Sequence, residues 1–215
     1  MAEAVEVEPT ELIVVRHGET VWHADNRYAG SSDIALTARG EEQAAGLARW
    51  AAGAGLAAVR SSTLSRAQRT AEPAAAAAGL APVADPRLVE QHFGDGEGLT
   101  SAEMRERLGA ARERFEMDPF RNPIPGSEDP VEVAERGLAA LSDAALAAAG
   151  GRVLVVAHGT LIRLVLCSLL GIDKGRYRRV FPSVGNCRGV RLRWRSSNRA
   201  ALLGFNEALG DAVGH

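Results

Sequence analysis

The chain has 215 residues, 46% of them hydrophobic, which is enough to bury one sizeable core without a second domain. Its 25 basic and 27 acidic residues give a formal net charge of -2, so no global basic field advertises nucleic acid. Two isolated cysteines, Cys167 and Cys187, exclude a disulfide framework and a thiolate metal site, and point to a reduced, cytoplasmic setting.

Met1 to Thr10 is acidic and has neither the basic start nor the apolar run of a signal peptide, so residues 1–10 are expected to form a disordered lead-in. Leu12-Ile13-Val14-Val15 follows as a short buried strand that stops at Arg16-His17-Gly18-Glu19-Thr20. Thr37 to Gly53 has the signature of a helix, with Thr37 as N-cap and glycine at the exit. Leu56 to Val59 is a strand ending at Arg60-Ser61-Ser62, and Ser62 or Thr63 is expected to cap a helix reaching Ala78. Pro82 to Ala84 is a third short strand.

Thr100-Ser101-Ala102-Glu103 has the form of a capping box, which predicts one helix over 101–117. Prolines at 119, 123, 125 and 130 make 118–130 a loop. An Ala-rich helix is expected over 132–149, then a strand Val153 to Ala157 running into His158-Gly159-Thr160. A helix over 160–170 and a shorter one near 174–180 come next. The apolar stretch 153–172 approaches membrane-span length, but His158 and Arg163 interrupt it, and an arginine near mid-span costs about 2.5–3.5 kcal/mol. Gly189 to Trp194 alternates as a strand, Ser196-Ser197-Asn198 turns, and Ala200 to Phe205 returns at the sheet edge, where it offers a surface for pairing with another copy. Strands alternating with helices predict an α/β fold, a three-layer α/β/α sandwich on a mostly parallel sheet. It occupies residues 11–207, with 208–215 as a tail.

If the strands run parallel, four chain segments share the crevice at their carboxyl ends. These are Arg16-His17, the stretch Ser61 to Ala67 containing Arg66, the stretch Leu88 to Gly94 containing Glu90, and His158-Gly159. Two histidines, two arginines and one carboxylate, with no acidic cluster for a metal, suit a phosphoryl group. Arginine forks match its equatorial oxygens bidentately, and helix N-termini support them with free N–H groups. A neutral imidazole can attack phosphorus in line, a second, protonated histidine can stabilise charge, and Glu90, kept protonated beside the phosphate, can give its proton to the leaving alkoxide.

Taken together, these motifs resemble those of the histidine phosphatase superfamily, in its phosphoglycerate-mutase-like branch. The resemblance rests on Arg16 to Thr20, on Ser61, Ser62, Leu64, Arg66, Ala67, Thr70 and Ala71, on Leu88 with Glu90 to Gly94, on His158-Gly159 and on Asn186-Cys187. It spans about residues 11–205. It implies a phosphoglycerate-mutase-like fold, His17 as the phosphorylated residue, Glu90 as proton donor, and Arg16, Arg66 and His158 as the phosphate pocket. His23, Gly30 and Gly159 complete the expected substrate-binding set. His23 stands where the family usually has asparagine, with donation to phosphate as its expected role, although packing explains it equally well. The same two readings hold for His92. Trp22, Tyr28, His92 and the 118–130 loop are the candidates for the pocket mouth.

The expected activity is metal-independent and cofactor-free hydrolysis of a small-molecule phosphomonoester, with no nucleic acid or membrane partner. The alternative is a cofactor-dependent mutase, which gives the phosphoryl group to a second alcohol. Mutases of this family carry an arginine-rich insertion between the acid and the second histidine, whereas only 67 residues separate Glu90 from His158 here. A non-enzymatic phosphate-recognition module is a third reading, which an altered nucleophile or acid would signal; neither is altered.

Overall fold

The structure is a computed structural model that describes residues 8–196 and 199–209. Six strands form one sheet in the order β3-β2-β4-β1-β5-β6. They are β1 (Thr10–Arg16), β2 (Ala58–Ser61), β3 (Pro82–Ala84), β4 (Arg152–Ala157), β5 (Arg188–Ser196) and β6 (Arg199–Ala208). The first four run parallel to one another, while β5 is antiparallel to β1 and β6 to β5. The expected mostly parallel sheet is therefore present.

β1 and β4 are apolar at successive positions because both of their faces are covered. Leu12, Val14, Val153 and Val155 pack with residues of α5 (Pro130–Ala147) and α6 (Gly159–Leu169). Ile13, Val15, Leu154 and Val156 face the other way, onto α1 (Ala38–Ala51) and α2 (Ser65–Ala77). Each such fully buried side chain contributes roughly 1.5–3 kcal/mol, and the two-sided burial makes the three layers. α7 (Tyr177–Val180) adds Tyr177 to the first core. Among the described residues no helix is long and apolar enough to cross a membrane.

Several boundaries differ from expectation. The helix predicted over 101–117 is two, α3 (Ser101–Leu108) and α4 (Ala110–Met117), because Gly109 at φ 46° breaks the helical path. α2 is capped by neither Ser62 nor Thr63. It begins at Ser65, whose N–H donates to Asp33 Oδ1, while Ser62 Oγ accepts from Leu64 N–H. Thr10, the last residue of the expected lead-in, is the first of β1, and its hydroxyl donates to Ala145 O at 2.8 Å. Ala208, the first of the expected tail, ends β6. Residues 1–7, the turn residues 197–198 and residues 210–215 lie outside the described residues.

Candidate active site

The register of β1 on β4 pairs Arg16 with Ala157, so the residues that follow, His17 and His158, emerge side by side at the carboxyl edge. Their ring centroids are 5.1 Å apart. β2 ends one register step away at Ser61, and the chain turns through Ser62 into α2, whose first turn carries Arg66. Glu90 arrives from the segment after β3. Arg136 of α5 clamps that segment, donating to Arg87 O at 2.8 Å and to Glu90 O at 3.3 Å. All four expected chain segments therefore meet at one cavity of about 510 Å³, lined by Arg16, His17, Arg66, Glu90 and Gly159 among others.

His17 is 4% exposed, and its orientation is set on both sides of the ring. Nδ1 lies 2.6 Å from Gly18 O, which requires a proton on Nδ1 and leaves Nε2 with its lone pair. Nε2 accepts from Arg66 Nε at 3.3 Å. Burial, then the neighbouring His158, Arg16 and Arg66, hold the His17 pKa well below its ordinary value, so the ring is neutral near pH 7. A neutral, tautomerically fixed imidazole is the form a nucleophile needs.

His158 is fully buried, and neither ring nitrogen has a partner within the described residues. Burial, followed by Arg66, Arg16 and Arg136, lowers its pKa far below the usual histidine range. Burial first, and then the nearby guanidinium groups, thus favour the neutral ring, where a protonated second histidine was expected from sequence. A bound phosphate dianion supplies the opposite charge that would favour a proton there.

The two arginines are held by main-chain carbonyls. Arg16 donates from Nη1 to Val184 O at 3.0 Å, and burial, only partly opposed by Glu90, pushes its pKa down to about 10. Arg66 donates to Ser32 O and to Gly30 O, each at 2.7 Å. Burial lowers its pKa too, against the pull of Glu90 and Asp33. Gly30 thus serves the site through its carbonyl. At φ 43°, with the Glu97 carboxylate against its Cα, it has no room for a side chain.

Glu90 accepts Thr160 N–H at 2.8 Å on one oxygen, and Leu161 and Gln91 N–H at 3.0 Å on the other. The carboxyl group thereby caps α6, whose own N-cap residue, His158, makes no side-chain cap. Gly159 opens that helix with its Cα beside the Arg16 side chain.

His23 departs from its expected role as a phosphate donor. Its Nε2 is 2.7 Å from Arg16 Nη2, and a guanidinium can only donate, so Nε2 accepts, while Nδ1 accepts Thr20 N–H at 3.0 Å and lies 2.8 Å from Thr20 Oγ1. Burial and Arg16 lower its pKa. Trp22, His23 and Tyr28 line the cavity, whereas His92 and the 118–130 loop do not. His92 is half exposed and accepts Gly94 N–H on Nδ1.

Sequence reasoning gave Glu97 no role. It accepts Ser31 and Ser32 N–H and Phe93 N–H, and so fixes the loop whose carbonyls hold Arg66. Burial alone would raise its pKa, but these bonds and the Ser32 hydroxyl lower it overall. Asn186 donates to His17 O at 2.8 Å, and Thr70 Oγ1 accepts Gly18 N–H at 3.0 Å, tying the first motif down from two sides. Arg112, Arg163 and Arg178 also line the cavity, Arg112 buried and the other two part-buried. Cys187 is no nucleophile, since burial pushes its thiol up to about 12.

An anion-binding cavity lined by arginines, with a fixed neutral histidine at the end of β1 of an α/β/α sandwich, suits phosphoryl chemistry. The family model for the histidine phosphatase superfamily (branch 1) matches residues 12–207. The chain belongs to that superfamily. It is 34% identical over 201 residues to a protein from Escherichia fergusonii named probable phosphoglycerate mutase GpmB, covering 94% of this chain and 93% of that one. Among solved structures it is similar to mycobacterial glucosyl-3-phosphoglycerate phosphatase (TM-score 0.84, 28% identity, 94% of this chain and 100% of that one). It is also similar to a putative alpha-ribazole-5'-P phosphatase from Escherichia coli (TM-score 0.81, 25% identity, 92% and 96%).

Proposed function

We propose that the protein is a cytoplasmic, metal-independent phosphatase that hydrolyses a small-molecule phosphomonoester through a phosphohistidine on His17. The observation that carries this reading is the neutral His17 ring, its Nδ1 proton engaged by Gly18 O and its Nε2 lone pair beside Arg66. In the first step Nε2 attacks phosphorus, the P–O ester bond breaks, and Glu90 gives its proton to the departing oxygen. Arg16, Arg66 and His158 bind the equatorial oxygens as charge spreads over them. In the second step Glu90 takes a proton from water, the resulting hydroxide oxygen bonds to phosphorus, the P–N bond breaks, and inorganic phosphate leaves.

Metal independence is supported by the donor set. Among the described residues no three His, Cys, Asp or Glu side chains gather to hold an ion, and the arginines supply the charge a metal would otherwise bring. Both cysteines are free, consistent with a reducing compartment. The mutase-named relative favours the second reading, transfer to another alcohol. Against it stands the short segment between Glu90 and His158, which is taken up by α3, α4, the Pro-rich loop and α5.

One experiment decides both points. With EDTA present, 3-phosphoglycerate and its bisphosphorylated cofactor are supplied, and phosphate and 2-phosphoglycerate are counted alongside phosphate from p-nitrophenyl phosphate. Phosphate release unaffected by EDTA with little isomer is expected. Isomer formation matching hydrolysis establishes the mutase, and activity that returns only with a divalent ion removes the metal-free mechanism.

A further inference from the structure

The outer half of the catalytic cavity holds positive charge that phosphoryl transfer does not use. Arg112 of α4, Arg163 of α6 and Arg178 of α7 all line it, together with Tyr28 and Ser101. Arg112 is 4% exposed, yet its Nε and Nη1 have no partner; only Nη2 is engaged, with Ser101 Oγ at 2.9 Å and Glu116 at 2.8 Å. Glu116 is itself shared with Arg105. Arg163 donates from Nη2 to Pro182 O, and its buried Nε is likewise unpartnered. Arg178 donates to the hydroxyls of Tyr177 and Tyr28. Neither Arg163 nor Arg178 forms an ion pair among the described residues.

Packing explains part of this. The Arg178 guanidinium carbon lies 4.7 Å from the Phe115 ring centroid and that of Arg112 lies 5.5 Å from it, so an aromatic face supports both cations. Stacking leaves the in-plane N–H groups unsatisfied, however, and a buried donor without an acceptor is costly. The same electrostatics link this cluster to the phosphate end, since Arg163 depresses the Arg16 pKa and Arg178 depresses that of Arg163, after burial in each case. These cations line the same cavity as Arg16 and Arg66. Six arginines line the cavity, and the five other than Arg27, which is paired with Asp25 and Glu103, exceed what a single phosphoryl group requires.

We propose that Arg112, Arg163 and Arg178, with the Tyr28 and Ser101 hydroxyls, form a second anion subsite, so that the substrate's alcohol portion carries its own carboxylate or phosphate. This assignment rests on the phosphatase reading for the identity of the first subsite. The guanidinium forks suit either oxyanion.

Two matched pairs of substrates test it. Glycerol 3-phosphate against 3-phosphoglycerate isolates a carboxylate, and fructose 6-phosphate against fructose 1,6-bisphosphate isolates a second phosphate. In at least one pair the wild-type kcat/KM should favour the two-anion member tenfold or more. Arg178→Met and Arg163→Met should each shrink that ratio at least fivefold, acting through KM. Either variant suffices if the other does not fold. A wild-type ratio near one in both pairs, or a ratio unmoved by the variants, overturns the subsite. If the wild type releases no phosphate even from p-nitrophenyl phosphate, it is the hydrolytic reading that has failed. The same pairs are then compared by calorimetric binding to the wild type, where equal or absent affinity within both pairs overturns the subsite separately.

Discussion

Nε2 of His23 faces Nη2 of Arg16 at 2.7 Å, so an imidazole acts here as the acceptor that aims a phosphate-binding cation. Removing the acceptor frees the guanidinium to sample other directions. His23→Ala should therefore raise KM for a phosphomonoester about tenfold, on the order of 1.4 kcal/mol, with a smaller change in kcat. His23→Asn, whose amide oxygen can also accept, should recover most of the loss. Because burial and Arg16 lower the His23 pKa, the wild-type bond survives at neutral pH and is lost only below the ordinary histidine value. KM should then climb on the acid side more steeply in the wild type than in His23→Asn. Parallel pH profiles of KM for the two proteins would show that Arg16 does not depend on this acceptor.

Three histidines with lowered pKa values make stability pH-dependent. His17, His23 and His158 all bind protons more weakly in the folded protein than in the unfolded chain. Their stabilising effect is complete above the unfolded value of about 6.5. It declines as pH falls from there toward the folded values, by up to about 1.4 kcal/mol per pH unit for each histidine. Urea unfolding at pH 7.5 and pH 5.5, without phosphate, should show lower stability at pH 5.5, and His158→Gln should reduce the difference. Equal stability at the two pH values would mean that the rings take up protons in the fold as readily as in the unfolded chain.

The sheet and the phosphate end of the site were legible because their signals are local. Each motif directly follows an apolar run, and a parallel sheet brings strand ends together without further information. Helix interiors were read well and helix starts less so. α2 takes its cap from Asp33, a residue 32 positions before it, and no local pattern announces a cap supplied from a distant loop. Gly109 looked tolerable inside a helix until its φ of 46° broke the helix in two. The outer arginines were hidden by composition. With arginine the default base of this chain, only the fold distinguishes Arg112, 4% exposed, from Arg69, whose side chain is 61% exposed and paired with Glu41. Glu97 was obscure for a related reason: its work is to hold a backbone loop, and no residue type signals that.

The tautomer of His17 predicts the site of phosphorylation within the ring. Since Nδ1 is committed to Gly18 O at 2.6 Å, only Nε2 can attack. Rapid quench with labelled substrate should trap an acid-labile, base-stable adduct, and two-dimensional NMR of the phosphopeptide should place phosphorus on Nε2. His17→Ala should abolish both adduct and turnover. A residual activity within about tenfold of wild type, on the order of 1.4 kcal/mol, would reduce His17 to an assisting group. Phosphorus on Nδ1 would require the ring to flip before reaction.

Glu90 has two jobs that a single substitution would confuse, and the choice of substrate separates them. Both of its oxygens accept backbone N–H groups, from Thr160 on one side and from Leu161 and Gln91 on the other. In Glu90→Gln one of those donors must face the amide NH₂, leaving a buried N–H unsatisfied, at a cost to stability of about 1–3 kcal/mol. A drop in activity alone would therefore not identify a proton donor. The ratio of rates on two substrates does, because the fraction of folded enzyme cancels. An alkyl phosphate has a basic leaving oxygen that depends on general acid help, whereas p-nitrophenolate leaves unaided. Glu90→Gln should lower kcat/KM for the alkyl ester by roughly 10²–10⁴-fold and for p-nitrophenyl phosphate by much less. If Glu90 also activates the water of the second step, phosphoenzyme should accumulate with the aryl substrate and a burst of p-nitrophenolate should precede the steady state. Equal losses on both substrates without a burst would leave Glu90 as the cap of α6 alone, and the exposed His92, whose Nδ1 is engaged by Gly94, is not placed to take over its proton.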